Sequence, residues 1–203
     1  MRAGNLRAAF DVIVLPGMPP QRLIDGNRKG ALPDEYVGGL GEAGVAALKA
    51  FVEAGGTLVC LDSSADLAID ALKLPVKNVV AGLPAEQFFC PGSIVALDVD
   101  PAQPVGFGML PRNAAFFAFS SAYEAAPGPD VRVVARYGAK DILMSGWLEG
   151  EQVIAGKAAV VEARAGLGRA VLIGFRAQHR GQSMATFRLL FNALLTGGSE
   201  QKR

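Results

Sequence analysis

Apolar residues early in this chain fall into short β-branched runs, each closed by turn residues and followed by positions with helical spacing. Asp11-Val-Ile-Val-Leu15 ends at Pro16-Gly17, the pattern of a buried parallel strand running into a loop. From Met18 to Gly41, Pro19, Pro20, Gly26, Gly30 and Pro33 mix with Asp25, Arg28, Lys29, Asp34 and Glu35, which predicts a long surface loop. Val45, Leu48, Phe51 and Val52 then predict a helix over Glu42 to Ala54, and Gly55-Gly56 supplies the left-handed residue that ends it. Thr57-Leu-Val-Cys-Leu61 reads as a second buried strand, Asp62-Ser63-Ser64 as a tight polar turn, and Ala65 to Leu72 as a helix that stops before Pro75. This is an α/β unit, for which a right-handed crossover is expected.

The pattern changes further on. Ser93 to Val99, Ala115 to Ser120, Val131 to Arg136 and Ile142 to Leu148 are short strand candidates with partial alternation, separated by Pro/Gly turns. Lys157 to Arg164 and Arg169 to Phe175 flank Ala165-Gly-Leu-Gly168, a hairpin signal with glycines available for positive φ. A polar loop, Arg176 to Gln182, leads to Ser183 as N-cap of a closing amphipathic helix, Met184 to Leu195, and Gly197 to Arg203 reads as a frayed tail. With 203 residues and no repeat, low-complexity segment or internal linker, residues 1–203 read as a single mixed α/β domain.

Composition narrows the chemistry. At 51 % hydrophobic and 19 % charged the chain carries a full core, and disorder is excluded. The net charge of +1 and the lack of a basic block argue against nucleic acid as a partner. No stretch reaches the roughly 18 uncharged apolar residues of a membrane span, and the N-terminus shows no export signal. A single histidine, His179, and two cysteines, Cys60 and Cys90, cannot assemble a multi-His or multi-Cys zinc site, so no metal or other cofactor is expected. Cys60 lies inside a strand pattern, where a small inert thiol is the common outcome.

Gly39-Leu-Gly-Glu-Ala-Gly44 matches the dinucleotide-binding glycine pattern but does not follow a strand directly, so these glycines read as loop and helix entry. The Asp62-Ser63-Ser64 turn is the stronger candidate, since a strand-to-helix turn exposes a residue beside helix N–H groups. Ser63, three residues before Asp66, also fits a capping box. A serine hydrolase would use Ser63 or Ser64 with His179 and an acid such as Glu162. Alternatively, Arg176, Gln178 and Arg180 before the last helix would form a corner that binds a carboxylate or a sugar.

Asp11-Val-Ile-Val-Leu-Pro-Gly17, Phe51-Val-Glu-Ala-Gly-Gly-Thr-Leu-Val59 and Gly168-Arg-Ala-Val-Leu-Ile-Gly-Phe175 together resemble the class I glutamine amidotransferase-like fold. Pro33-Asp-Glu-Tyr-Val-Gly-Gly-Leu-Gly41, Phe88-Phe-Cys-Pro-Gly-Ser93, Ser145-Gly-Trp-Leu148 and Phe175 to Gln182 with Phe187 to Leu194 resemble, more closely, the amidotransferase-like domain found C-terminal to bacterial zinc carboxypeptidases of the carboxypeptidase A type. The resemblance spans nearly the whole chain and implies a flavodoxin-like, mostly parallel sheet flanked by helices, with a β-hairpin near the C-terminus. It also implies a domain lacking the family's first strand and helix, and full-length relatives that are exported. The amidotransferase nucleophile falls at Asp62, where cysteine is absent, and the family histidine falls near His179 without the usual Pro-Glu after it. Thioester chemistry is therefore not expected, and the zinc ligands of the peptidase are missing. The resemblance points to a non-catalytic accessory domain, with a zinc carboxypeptidase domain or a second copy of itself as partner.

Overall fold

The computed structural model describes residues 4–126 and 128–199, all of the chain apart from Met1–Ala3, Pro127 and 200–203. Its elements run α1 (Leu6–Ala9), β1 (Val12–Leu15), α2 (Pro20–Asp25), α3 (Gly41–Glu53), β2 (Thr57–Leu61), α4 (Ala65–Leu72), β3 (Val76–Asn78), β4 (Ser93–Val99), β5 (Arg112–Phe117), β6 (Tyr123–Ala125), β7 (Val131–Tyr137), β8 (Leu143–Ser145), α5 (Glu151–Ile154), β9 (Ala158–Ala165), β10 (Gly168–Ile173) and α6 (Met184–Ser199).

The main sheet runs β1-β2-β10-β9-β7-β4-β5. Only β1, β2 and β10 lie parallel; β10 to β9 and every later pairing along that order is antiparallel. The expectation of a mostly parallel sheet is thus corrected to a mixed one. The expected hairpin is β9–β10, which turns through Gly166 and Leu167 and joins the antiparallel strands to the parallel core. Gly166 sits at φ +60°, as a turn with glycine in its first central position requires.

β2 is buried at all five positions, which is why its sequence shows no alternation. Its side chains still divide between two cores. Leu58 and Cys60 pack with Leu48, Phe51 and Val52 of α3 and Ala65, Leu67 and Ala68 of α4. Val59 and Leu61 face the other layer, with Phe117, Tyr137, and Leu189 and Ala193 of α6. Gly56 is required for close packing, because a Cβ there would lie 2.3 Å from Phe51 Cζ.

Three expectations change. The stretch from Met18 to Gly41 is not all loop: Pro20 occupies the first turn of α2, where its missing N–H costs nothing, and a 3₁₀ turn forms at Asp34–Tyr36. The last helix continues past Leu195 to Ser199, so Gly197 belongs to it, and a Cβ there would come within 2.4 Å of Val12 Cγ2; positions 200–203 of the expected frayed tail lie outside the described residues. Ser183 does precede this helix, but its hydroxyl donates to the Ala177 carbonyl at 3.0 Å. No helix among the described residues is long and apolar enough to cross a membrane.

Candidate functional site

The C-terminal ends of the three parallel strands bring together Pro16-Gly17, Asp62 to Ser64, and Arg176. Asp62 occupies the bend after β2 with φ +53°, a left-handed conformation that costs a non-glycine residue on the order of 1 kcal/mol and needs its surroundings to hold it. The surroundings do so. Gly17 leaves room for it, since a Cβ on Gly17 would sit 3.1 Å from Asp62 Cβ. The Ser64 hydroxyl donates to Leu61 O at 2.7 Å and is 3.2 Å from Leu15 O, tying the bend to β1.

Asp62 is turned inward, 2 % exposed, and its Oδ2 accepts from Arg176 Nε at 3.0 Å. Its Oδ1 meets no donor with hydrogen-bond geometry. Burial pushes its pKa above the usual carboxylate range, outweighing the lowering influence of Ser120, Arg176 and the Ser63 backbone. Asp66 is raised likewise, first by burial, although its carboxylate accepts from Asn78 Nδ2 at 3.1 and 3.2 Å. Asn78 Nδ2 also reaches Ser121 Oγ at 3.2 Å, and Ser120 and Ser121 are both buried. Sequence reasoning missed Asn78, Ser120 and Ser121. The only signal for the two serines was a pair of polar residues closing the apolar run that ends at Ala118-Phe119.

The structure disperses the serine-hydrolase constellation. Ser64 is fully buried and its hydroxyl is engaged by backbone carbonyls. Ser63 and Asp66 do not form the expected capping box: helix α4 has no side-chain cap, and Asp66 serves Asn78 instead. His179 lies in a 3₁₀ turn with its ring stacked on Phe116 at 4.1 Å and 19°, with no hydrogen bond or ion pair to Asp62, Ser63 or Ser64 among the described residues. Glu162 lies beside Arg132 and Arg169, at 3.5 and 3.4 Å. The expected anion corner is likewise loosened: Arg176 is turned to Asp62, while Gln178 and Arg180 are exposed, Arg180 at φ 48°.

Cys60 is fully buried in β2, and burial pushes its thiol far above the ordinary range. Cys90 is also buried, its pKa raised first by burial, and both are free thiols. Among the described residues no group of three or more His, Cys, Asp or Glu could hold a metal ion.

No family model and no curated protein matches the sequence. Solved structures do match in fold. A ThuA-like protein from Parabacteroides merdae aligns at 13 % identity over 97 % of this chain and 73 % of its own, with a TM-score of 0.53. A GMP synthase protein from Thermoplasma acidophilum aligns at 11 % identity over 94 % of this chain and 74 % of its own, with a TM-score of 0.54. The β-galactosidase of Bacillus circulans sp. alkalophilus aligns at 13 % identity over 94 % of this chain but only 23 % of its own, with a TM-score of 0.53. The chain therefore has a glutamine amidotransferase-like, or ThuA-like, fold.

Proposed function

We propose that this chain is a non-catalytic amidotransferase-like accessory domain that packs against an enzyme domain. One observation carries the reading. At the bend after β2, where glutamine hydrolysis needs an exposed, activated thiolate, stands an inward-turned Asp62 held by Arg176, and the nearest sulfur in the sequence, Cys60, is sealed in the sheet. The likeness to a β-galactosidase supports an accessory role, because there the same fold makes up less than a quarter of a longer enzyme chain. The partner we propose is a zinc carboxypeptidase domain, on the sequence resemblance above. We read the β1-β2-β10 core, with helices on both faces, as flavodoxin-like and the antiparallel strands as its extension.

The test has two arms. Purified protein incubated with glutamine should release no ammonia above buffer; release that disappears in Cys60→Ala would overturn the non-catalytic assignment. Sedimentation of the protein mixed with a carboxypeptidase A-type zinc domain should show a complex, and independent sedimentation of the two removes that partner.

A further inference from the structure

The largest cavity of the described residues, about 600 Å³, opens at the other end of the parallel strands, where β2 and β10 begin. Four arginines line it, Arg7, Arg132, Arg164 and Arg169, against one carboxylate, Glu162, so these side chains carry a formal charge of +3 in a protein whose total is +1. Arg169 and Glu162 are both about 6 % exposed and lie 3.4 Å apart, a charged pair set into the cavity floor. Arg7 is anchored by Asp11 at 3.0 Å, and Arg132 lies 3.5 Å from Glu162. The guanidinium of Arg164 has no hydrogen-bond or ion-pair partner among the described residues. The nearby carbonyls of Val52, Glu53 and Gly56 are already taken by the N–H groups of Gly55, Leu167 and Arg169, so guanidinium charge dominates the wall.

We propose that this cavity binds a small organic oxyanion of at least two negative charges, a phosphate ester or a polycarboxylate. Guanidinium forks match both groups in geometry. A volume of about 600 Å³ lies within the usual range for small-molecule sites. Clustered like charges with a single counter-charge are destabilising when empty and become favourable once an anion is held among them. Glu162 holds Arg169 and Arg132 in place and limits the charge that the ligand must neutralise.

Calorimetric titration at low salt with pyrophosphate and, separately, with citrate tests the proposal on the intact chain. At least one should bind saturably, and which one does decides between phosphate and carboxylate. Arg164→Ala and Arg132→Ala alter exposed side chains and should keep the circular dichroism spectrum of the parent. Each should weaken binding about tenfold or more, the scale of one lost charge-assisted hydrogen bond. Arg22→Ala, an exposed arginine on α2, should leave binding unchanged. Failure of both anions to bind, or binding that is indifferent to Arg164 and Arg132, would overturn it.

Discussion

Replacing Arg176 by alanine removes the guanidinium that donates to a carboxylate only 2 % exposed, while leaving that carboxylate in place. A hydrogen bond to a charged group contributes about 1.5–3 kcal/mol, and the 45 % exposure of the Arg176 side chain puts this one at the lower end. Arg176→Ala should therefore cost about 1.5–2 kcal/mol at pH 7, or a fall in Tm of about 3–8 °C for a domain of this size. The pH dependence has a definite sign. Burial holds the folded pKa of Asp62 above its unfolded value, so the native state binds the extra proton. Stability from this group is fully present below about pH 4 and is lost as pH rises through the folded pKa. Without Arg176 that folded value rises further, so the deficit of the variant should widen towards neutral pH and close near pH 4. Urea unfolding followed by circular dichroism, at several pH values, reads the difference. In an Asp62→Asn background, where the side chain is neutral and better suited to φ +53°, the same Arg176→Ala change should cost about 0.5 kcal/mol or less. An equal cost in both backgrounds, or a deficit independent of pH, would refute the view that Arg176 acts by compensating a buried charge.

Gly168→Ala should destabilise the protein by about 3 kcal/mol, because the new Cβ would lie 2.2 Å from Gly56 O and 2.3 Å from Val52 O, both backbone atoms. A thermal melt shifted by less than about 2 °C would contradict that packing. The two buried thiols should resist an aromatic disulfide reagent in native buffer and react, both of them, in denaturant. Fast native labelling of Cys60 would show that its strand opens.

The first α/β unit was legible because each of its signals is local. Val45, Leu48, Phe51 and Val52 set the face of α3, Gly55 ends it, and the unbroken apolar run of β2 marks a strand covered on both sides. The sheet's mixed direction was not legible, since whether β9 runs with or against β7 is decided by partners far along the chain. Short elements such as β3, β6 and α5 span only three or four residues, too few to display a period. The prolines that marked Met18 to Gly41 as loop included Pro20, which in fact starts a helix. At the candidate site the turn itself was foreseen, with Asp62 at the amidotransferase nucleophile position. That its carboxylate folds inward depends on the sign of one backbone angle and on Arg176, 114 residues away.

The central position of β10 has a consequence for biosynthesis. β2 lies between β1 and β10, and its ladder to β10 joins Thr57–Leu61 to Arg169–Ile173. A ribosome making this chain will have released β1, β2 and the whole run of antiparallel strands before the last inner strand appears. Until then one flank of β2 is bare and Asp62 has no arginine, so the nascent protein depends on chaperones or on swift late docking to keep that flank from pairing with a neighbour.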